Sequence, residues 1–188
     1  MGKTYERLDE SLRRFIGEQQ MFFVATAPLS GDGLVNVSPK GLDSFRILDD
    51  HTVAYLDLTG SGIETLAHVR ENGRIVIMFC AFDGRPMILR LYGRGTAHEE
   101  GTPEFDELRP LFPPLEGARS ILRVELHRIS DSCGWGVPLY ECRGQRDTLL
   151  RYYQQKGEDT VRSMRLEGNA QSLDGLPGLT AGCGGQSA

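Results

Sequence analysis

The chain has 188 residues, 21 basic and 26 acidic, for a formal net charge of −5. That length suits one domain with a core that needs no covalent staples, and the acidic balance gives no footing to non-specific nucleic-acid binding. Glycine is abundant at 23 residues, yet there is no Gly-X-Y period, 39% of residues are hydrophobic and prolines number only 9, which excludes collagen and low-complexity disorder and leaves a chain of many tight turns.

Tyr5, Leu8, Leu12, Phe15 and Ile16 recur at helical spacing among charges and predict an amphipathic helix ending near Gly17. The run Met21–Ala27 is too apolar for a surface helix and predicts a buried strand. Gly31-Asp32-Gly33 turns the chain into a second strand, Leu34–Ser38, limited by Pro39. A third strand is expected over Thr52–Leu58. The break Thr59-Gly60-Ser61-Gly62 then leads into a short helix that ends at Asn72-Gly73. Ser61 or Thr59 is its expected N-cap, with Glu64 in the capping-box position. Arg74–Ala81 predicts a strand buried on both faces. Met87–His98 predicts a long strand, Thr102-Pro103-Glu104 opens a helix, and Arg119–Ser130 alternates as a further strand. About six strands with helices inserted between them, joined by short turns, indicate an antiparallel barrel or sandwich rather than a doubly wound parallel sheet. Beyond Trp135, residues 147–155 and 159–167 look helical, and the Gly-rich stretch from Leu176 is expected to be a loop or arm.

No apolar run approaches 18 residues, and the charged opening MGKTYERLDESLRRF does not resemble a secretion signal. Cys80, Cys133, Cys142 and Cys183 match no CxxC pattern, so free thiols in a reducing cytoplasm are expected. His51, His68, His98 and His127 are far apart and give a metal site little support; no GxSxG or SxxK motif nominates a hydrolase nucleophile.

Four features carry chemical interest, and each has a plain alternative. Lys40, after Ser38-Pro39, either places an ammonium over an anionic ligand or is a solvated turn lysine. Gly60-Ser61-Gly62 before a helix either cradles an anion or is an ordinary cap. Arg74, Arg90 and Arg94 on predicted strands each need an acidic partner, which is either a side-chain carboxylate or a ligand phosphate. Trp135, flanked by Gly134 and Gly136, either lies against a flat ring or neighbouring subunit or plugs the end of a barrel.

The succession Phe22–Ala27, Val35-Asn36-Val37-Ser38-Pro39-Lys40-Gly41, Val53-Ala54-Tyr55-Leu56-Asp57, Gly60-Ser61-Gly62-Ile63-Glu64-Thr65-Leu66, Arg74–Phe79, Leu89–Gly95 and Cys133–Pro138 resembles the pyridoxamine 5′-phosphate oxidase-like family over roughly residues 4–140. The resemblance implies a six-stranded antiparallel FMN-binding split β-barrel, mainly β with added helices, working as a homodimer with cofactor sites at the subunit interface. It implies that residues 1–140 form the barrel and that 141–188 form a helical extension and Gly-rich tail on the same domain. It puts Ser38 and Lys40 along the flavin, Tyr55 and Asp57 beside the ring and ribityl chain, Gly60, Ser61 and Gly62 at the phosphate, and Trp135 against the flavin across the dimer. Where the vitamin-synthesising oxidases carry an Arg-Lys pair, this chain has Gly60-Ser61-Gly62, so the phosphate charge falls to Lys40, Arg74, Arg90 or Arg94. The function implied is an FMN-binding oxidoreductase acting on a small organic substrate, in which the flavin carries the redox chemistry. The alternatives are a split barrel for another flat anionic ligand, a deazaflavin or haem, and a non-catalytic ligand sensor.

Overall fold

A computed structural model describes residues 2–180. Cys183 and three of the tail glycines, Gly182, Gly184 and Gly185, lie outside those residues. The elements run β1 (Thr4–Tyr5), α1 (Glu10–Glu18), β2 (Phe22–Thr26), β3 (Asn36–Lys40), β4 (Phe45–Ile47), β5 (Thr52–Leu58), α2 (Glu64–Asn72), β6 (Arg74–Cys80), β7 (Ile88–Glu99), α3 (Pro103–Leu108), a short 3-10 helix (Arg109–Leu111), β8 (Ala118–Ser132), α4 (Thr148–Lys156) and α5 (Glu158–Gly168). The strands form one antiparallel sheet in the order β3-β2-β6-β7-β8-β5-β4, with β1 added to β8. It curls into a split half-barrel whose free edges are β3 and β4. Six strands of the expected barrel are present, and β1 and β4, two and three residues long, bring the sheet to eight.

The first helix starts at Glu10 rather than near Tyr5, because Asp9 caps it by accepting from the Leu12 amide at 2.9 Å and Tyr5 is drawn into the sheet opposite Ile129. β3 starts two residues later than expected and includes Pro39, which an edge strand tolerates. β6 alternates between buried and half-exposed positions, so it is not covered on both faces. The doubly covered strand is β5. On one side Val53 and Tyr55 join the main core with Phe22, Ile77, Phe79 and Leu122; on the other Ala54 and Leu56 pack with Phe105, Phe112 and Ile121. α2 packs across β2, β6 and β7 and stops at Gly73, whose φ of 70° closes the helix in the left-handed conformation.

From β3 the chain crosses the split to β4 through Gly41–Ser44. Leu42 and Asp43 both take positive φ, 64° and 54°, which side chains with a Cβ rarely adopt. The crossing is held by the Ser44 hydroxyl donating to the Gly41 carbonyl at 2.6 Å and by Arg46 donating to Asp43 Oδ1 at 2.8 Å.

Glycine at 93 answers a close backbone approach. The β7–β8 register shifts between Tyr92 and Gly93, and a Cβ at 93 would lie 2.5 Å from the Glu125 carbonyl and from Val124 Cγ1. The neighbour at this glycine is thus the chain's own strand. Gly93→Ala should cost about 1–3 kcal/mol through overpacking; an unchanged urea midpoint would contradict this.

Among the described residues, Cys80, Cys133 and Cys142 are free, and no helix is long and apolar enough to cross a membrane.

Candidate functional site

Asp57, near the end of β5, is 1% exposed and sits between two cations. Lys40 from β3 reaches across the split and donates to its Oδ1 at 2.8 Å; Arg119 from β8 donates through Nε to its Oδ2 at 2.7 Å. The local reason is register. Asp57 pairs with Ser120, and the shift between Asp57 and Leu58 turns Arg119 toward the carboxylate. Burial alone would push the Asp57 carboxyl up, but Lys40 and then Arg119 outweigh it and hold it down to about 2. It is therefore a paired anion at neutral pH and has no acid–base role to offer. Two cations around one carboxylate leave the cluster with one net positive charge.

Arg119 also fixes the turn that follows β5. One of its terminal nitrogens donates to the Gly62 carbonyl at 2.9 Å and to Asn169 Oδ1 at 2.7 Å; Asn169 Nδ2 donates to the Gly60 carbonyl at 3.0 Å. Lys40, Asp57, Gly60 and Gly62 are thereby joined in one hydrogen-bonded chain. Gly60 and Ser61 are exposed at its surface. Ser61 does not cap α2, and neither does Thr59. The position before Glu64 is Ile63, with no side-chain cap, because the Thr59 hydroxyl donates to the Gly117 carbonyl at 2.8 Å and receives Arg165 at 2.7 Å. The start of α2 keeps its unsatisfied amide groups and the positive end of its dipole.

Inside the split, Ser38 Oγ and Tyr55 Oη are buried with no hydrogen bond of normal geometry. Lys40 Nζ lies 6.0 Å from the centre of the Tyr55 ring. Burial, reinforced by the nearby Asp57 charge, keeps the Tyr55 phenol protonated well above its usual range, so it is a standing hydrogen-bond donor.

The remaining candidates lie apart from this cluster. Arg74 donates to the Pro28 carbonyl at 2.9 Å and to Asn72 Oδ1 at 3.3 Å, and Arg94 donates to the Asn72 carbonyl at 3.1 Å, both at the far end of α2. Arg90 donates to Ser132 Oγ at 3.0 Å. Each has found an acceptor close to its own strand, and Arg119 is the strand arginine that joins the site. Trp135 is 83% exposed, so it does not plug the barrel. Three further residues escape a reading of the sequence: Arg119, Asn169 and His68. His68 is fully buried on α2, 3.0 Å from Thr26 Oγ1 through Nδ1. Asn36 Nδ2, also near Thr26, donates to Thr65 Oγ1 at 2.9 Å.

The antiparallel half-barrel with its added helices is a split β-barrel. The family model described as pyridoxamine 5′-phosphate oxidase matches residues 8–133. The chain belongs to the pyridoxamine 5′-phosphate oxidase family. It is 39% identical over 194 residues to the pyridoxamine 5′-phosphate oxidase family protein ustO of Aspergillus flavus, spanning 93% of this chain and 77% of that protein. Among solved structures, a candidate pyridoxamine 5′-phosphate oxidase from Lactobacillus delbrueckii aligns with a TM-score of 0.53 at 16% identity, covering 68% of this chain and 98% of that one. A histidine-to-alanine variant of HupZ from Group A Streptococcus aligns at 0.51 and 24% identity, covering 66% and 99%. These two share the fold with this chain.

Proposed function

We propose that this chain binds FMN in the split, beside Lys40 of β3 and Asp57 of β5, and uses it as an oxidoreductase on a small organic substrate. The observation that carries the reading is the single hydrogen-bonded chain that joins the Lys40 ammonium to the Gly60–Gly62 turn at an uncapped helix start. A phosphate suits that setting: the exposed Gly60–Ser61 turn, the positive end of a helix dipole and the net positive charge of Lys40, Asp57 and Arg119 act together, and the Glu64 carboxylate, which lies over Gly62, swings aside to admit it. Lys40 is the cation with access, since its side chain is 20% exposed while that of Arg119 is 6% exposed and already bonded to three acceptors. The buried Ser38 and Tyr55 hydroxyls, neither with a hydrogen bond of normal geometry, suit the polar edge of a flavin, and the protonated Tyr55 can donate there. FMN, when bound, supplies the electron-accepting and electron-donating chemistry. The protein's part is to bind, to orient and to keep Tyr55 protonated; with Asp57 paired, no side chain of the cluster is free to act as a base.

A second copy of the chain belongs to this reading. Val37 on β3 and Val35 just before it are 62% and 71% exposed, and Val35 borders a shallow groove of about 390 Å³ with Ala25, Val76 and Tyr92 on the outer face of the sheet. An apolar strip on a sheet edge favours burial against a partner. In this reading Trp135, which is 83% exposed, is the residue that reaches the partner's site.

The test uses Ser61→Glu. Ser61 is exposed, so stability should stay within about 0.5 kcal/mol, while a carboxylate in the proposed phosphate turn should weaken FMN binding at least tenfold in a flavin-fluorescence titration. A wild-type protein that is colourless and takes up no added FMN would overturn the reading. Stabilisation by haem or a deazaflavin in place of FMN would shift it to the other ligand class.

A further inference from the structure

We propose that Asn169, in the segment following α5, is a positioning residue that sets the Gly60–Gly62 turn for an anionic ligand, so that the cofactor site draws on a residue outside the family-matched region. The proposal rests on the FMN reading above.

Both carboxamide atoms of Asn169 are used, and both act on the turn. Nδ2 holds the Gly60 carbonyl directly, and Oδ1 holds the Arg119 guanidinium that in turn holds the Gly62 carbonyl. Asn169 is 1% exposed, so these bonds are shielded from water. Peptide geometry carries the consequence outward. In a trans peptide the C=O of one residue and the N–H of the next point in opposite directions, and there are no cis bonds among the described residues. With the Gly60 and Gly62 carbonyls drawn inward, the amides of Ser61 and Ile63 point away from Arg119 and Asn169; Ser61 is exposed, so its amide is the one an anion can meet, while Ile63 is buried beside the Glu64 carboxylate. Without Asn169 the Gly60 peptide is free to flip and present its oxygen instead.

The segment that delivers Asn169 is itself fastened. Residues 171 and 177 form a β-bridge, Leu179 N donates to the Asn169 carbonyl at 2.9 Å and Gly178 N to the Ala170 carbonyl at 2.8 Å. A side chain at Gly178 would collide with the Asn169 carbonyl. Arg70 donates to the Gly178 carbonyl, and the Asp174 carboxylate accepts the Leu34 amide at 3.0 Å. The strap thus grips α2 and the β2–β3 turn as well as the glycine turn. Asn is the residue the position requires. Aspartate could accept from Arg119 but could not donate to the Gly60 carbonyl, and it would add negative charge under an anion site.

The experiment titrates purified full-length wild type, Asn169→Asp, Asn169→Ser and the exposed-position control Leu173→Ala with FMN and, separately, with riboflavin, which lacks the phosphate. The expected result is that both Asn169 variants lose at least tenfold of FMN affinity while riboflavin affinity stays within twofold of wild type, and that Leu173→Ala changes neither. General loosening of the fold would instead weaken both ligands together, which overturns the positioning role, and the smaller Asn169→Ser change keeps the comparison open if the aspartate variant does not fold. Wild-type FMN affinity in the folded variants overturns the proposal and leaves the FMN reading standing; a wild type that binds neither ligand overturns both.

Discussion

Asp57→Ala is expected to lower the unfolding free energy by about 3–5 kcal/mol, the usual cost of removing one partner from a buried ion pair. Lys40 and Arg119 would be left facing each other across the split with their compensating charge gone. At roughly 2–4 °C per kcal/mol for a chain of this size, thermal melting should fall by on the order of 10 °C. The pH dependence has a definite sign. The Asp57 carboxyl is held down to about 2 in the folded state. A depressed carboxyl contributes stability that is present above its unfolded value, near pH ~4, and is lost as pH falls through the folded one. That contribution is about 2–3 kcal/mol. Urea unfolding of wild type and Asp57→Asn should therefore differ most near neutral pH and converge as the pH falls to about 2. A gap that stays constant over that whole range would show that the carboxylate does not carry the pairing.

Phe22→Ala should be nearly as costly, at about 3–5 kcal/mol. Phe22 is 3% exposed and meets three rings: Phe45 at 5.1 Å, Tyr55 at 5.6 Å and Phe79 at 5.6 Å between centroids. Phe45 and Phe79 touch edge to face at 5.1 Å, so the cluster ties β2, β4, β5 and β6 together behind the split. Removing one ring leaves a cavity lined by the other three, and stiff aromatic side chains collapse into it poorly. Phe22→Leu refills most of that volume and should lose much less, on the order of 1 kcal/mol. Denaturant midpoints for the two variants test the ordering. Because Phe22 pairs directly with Lys40 in the β2–β3 ladder, the alanine variant should also loosen the ammonium that bridges the split.

The strands that form the barrel are legible in sequence because their residues alternate or run apolar: Phe22–Thr26, Thr52–Leu58 and Ala118–Ser132 announce themselves. β4 is not, since Phe45-Arg46-Ile47 is too short to show a period and forms only because β5 offers it an edge. The end of α2 is visible in Asn72-Gly73, but its start is hidden. Thr59 and Ser61 look like caps in sequence, and nothing local reveals that the Gly117 carbonyl and Arg165 claim the Thr59 hydroxyl. The same limit applies to the site. Lys40 can be nominated from its place after Ser38-Pro39, and Asp57 from the family resemblance. Arg119 cannot be told from Arg123 and Arg128 on the same strand, because its burial depends on which residue of β5 stands opposite. Asn169 sits in a polar stretch after a helix, and only the folded path of the chain brings it to Gly60, 109 positions earlier.

That separation also sets an order of events during synthesis. At about 5–20 residues per second, some 5–20 s pass on the ribosome between the making of Gly60 and the making of Asn169. The barrel strands leave the ribosome ahead of the strap, so they can pair, and Arg119 can find Asp57, before Asn169 arrives. The glycine turn lacks its second hold until the strap arrives. On the FMN reading proposed above, a nascent chain gains its framework first and the second hold on its glycine turn later, so loading is expected to follow translation rather than accompany it.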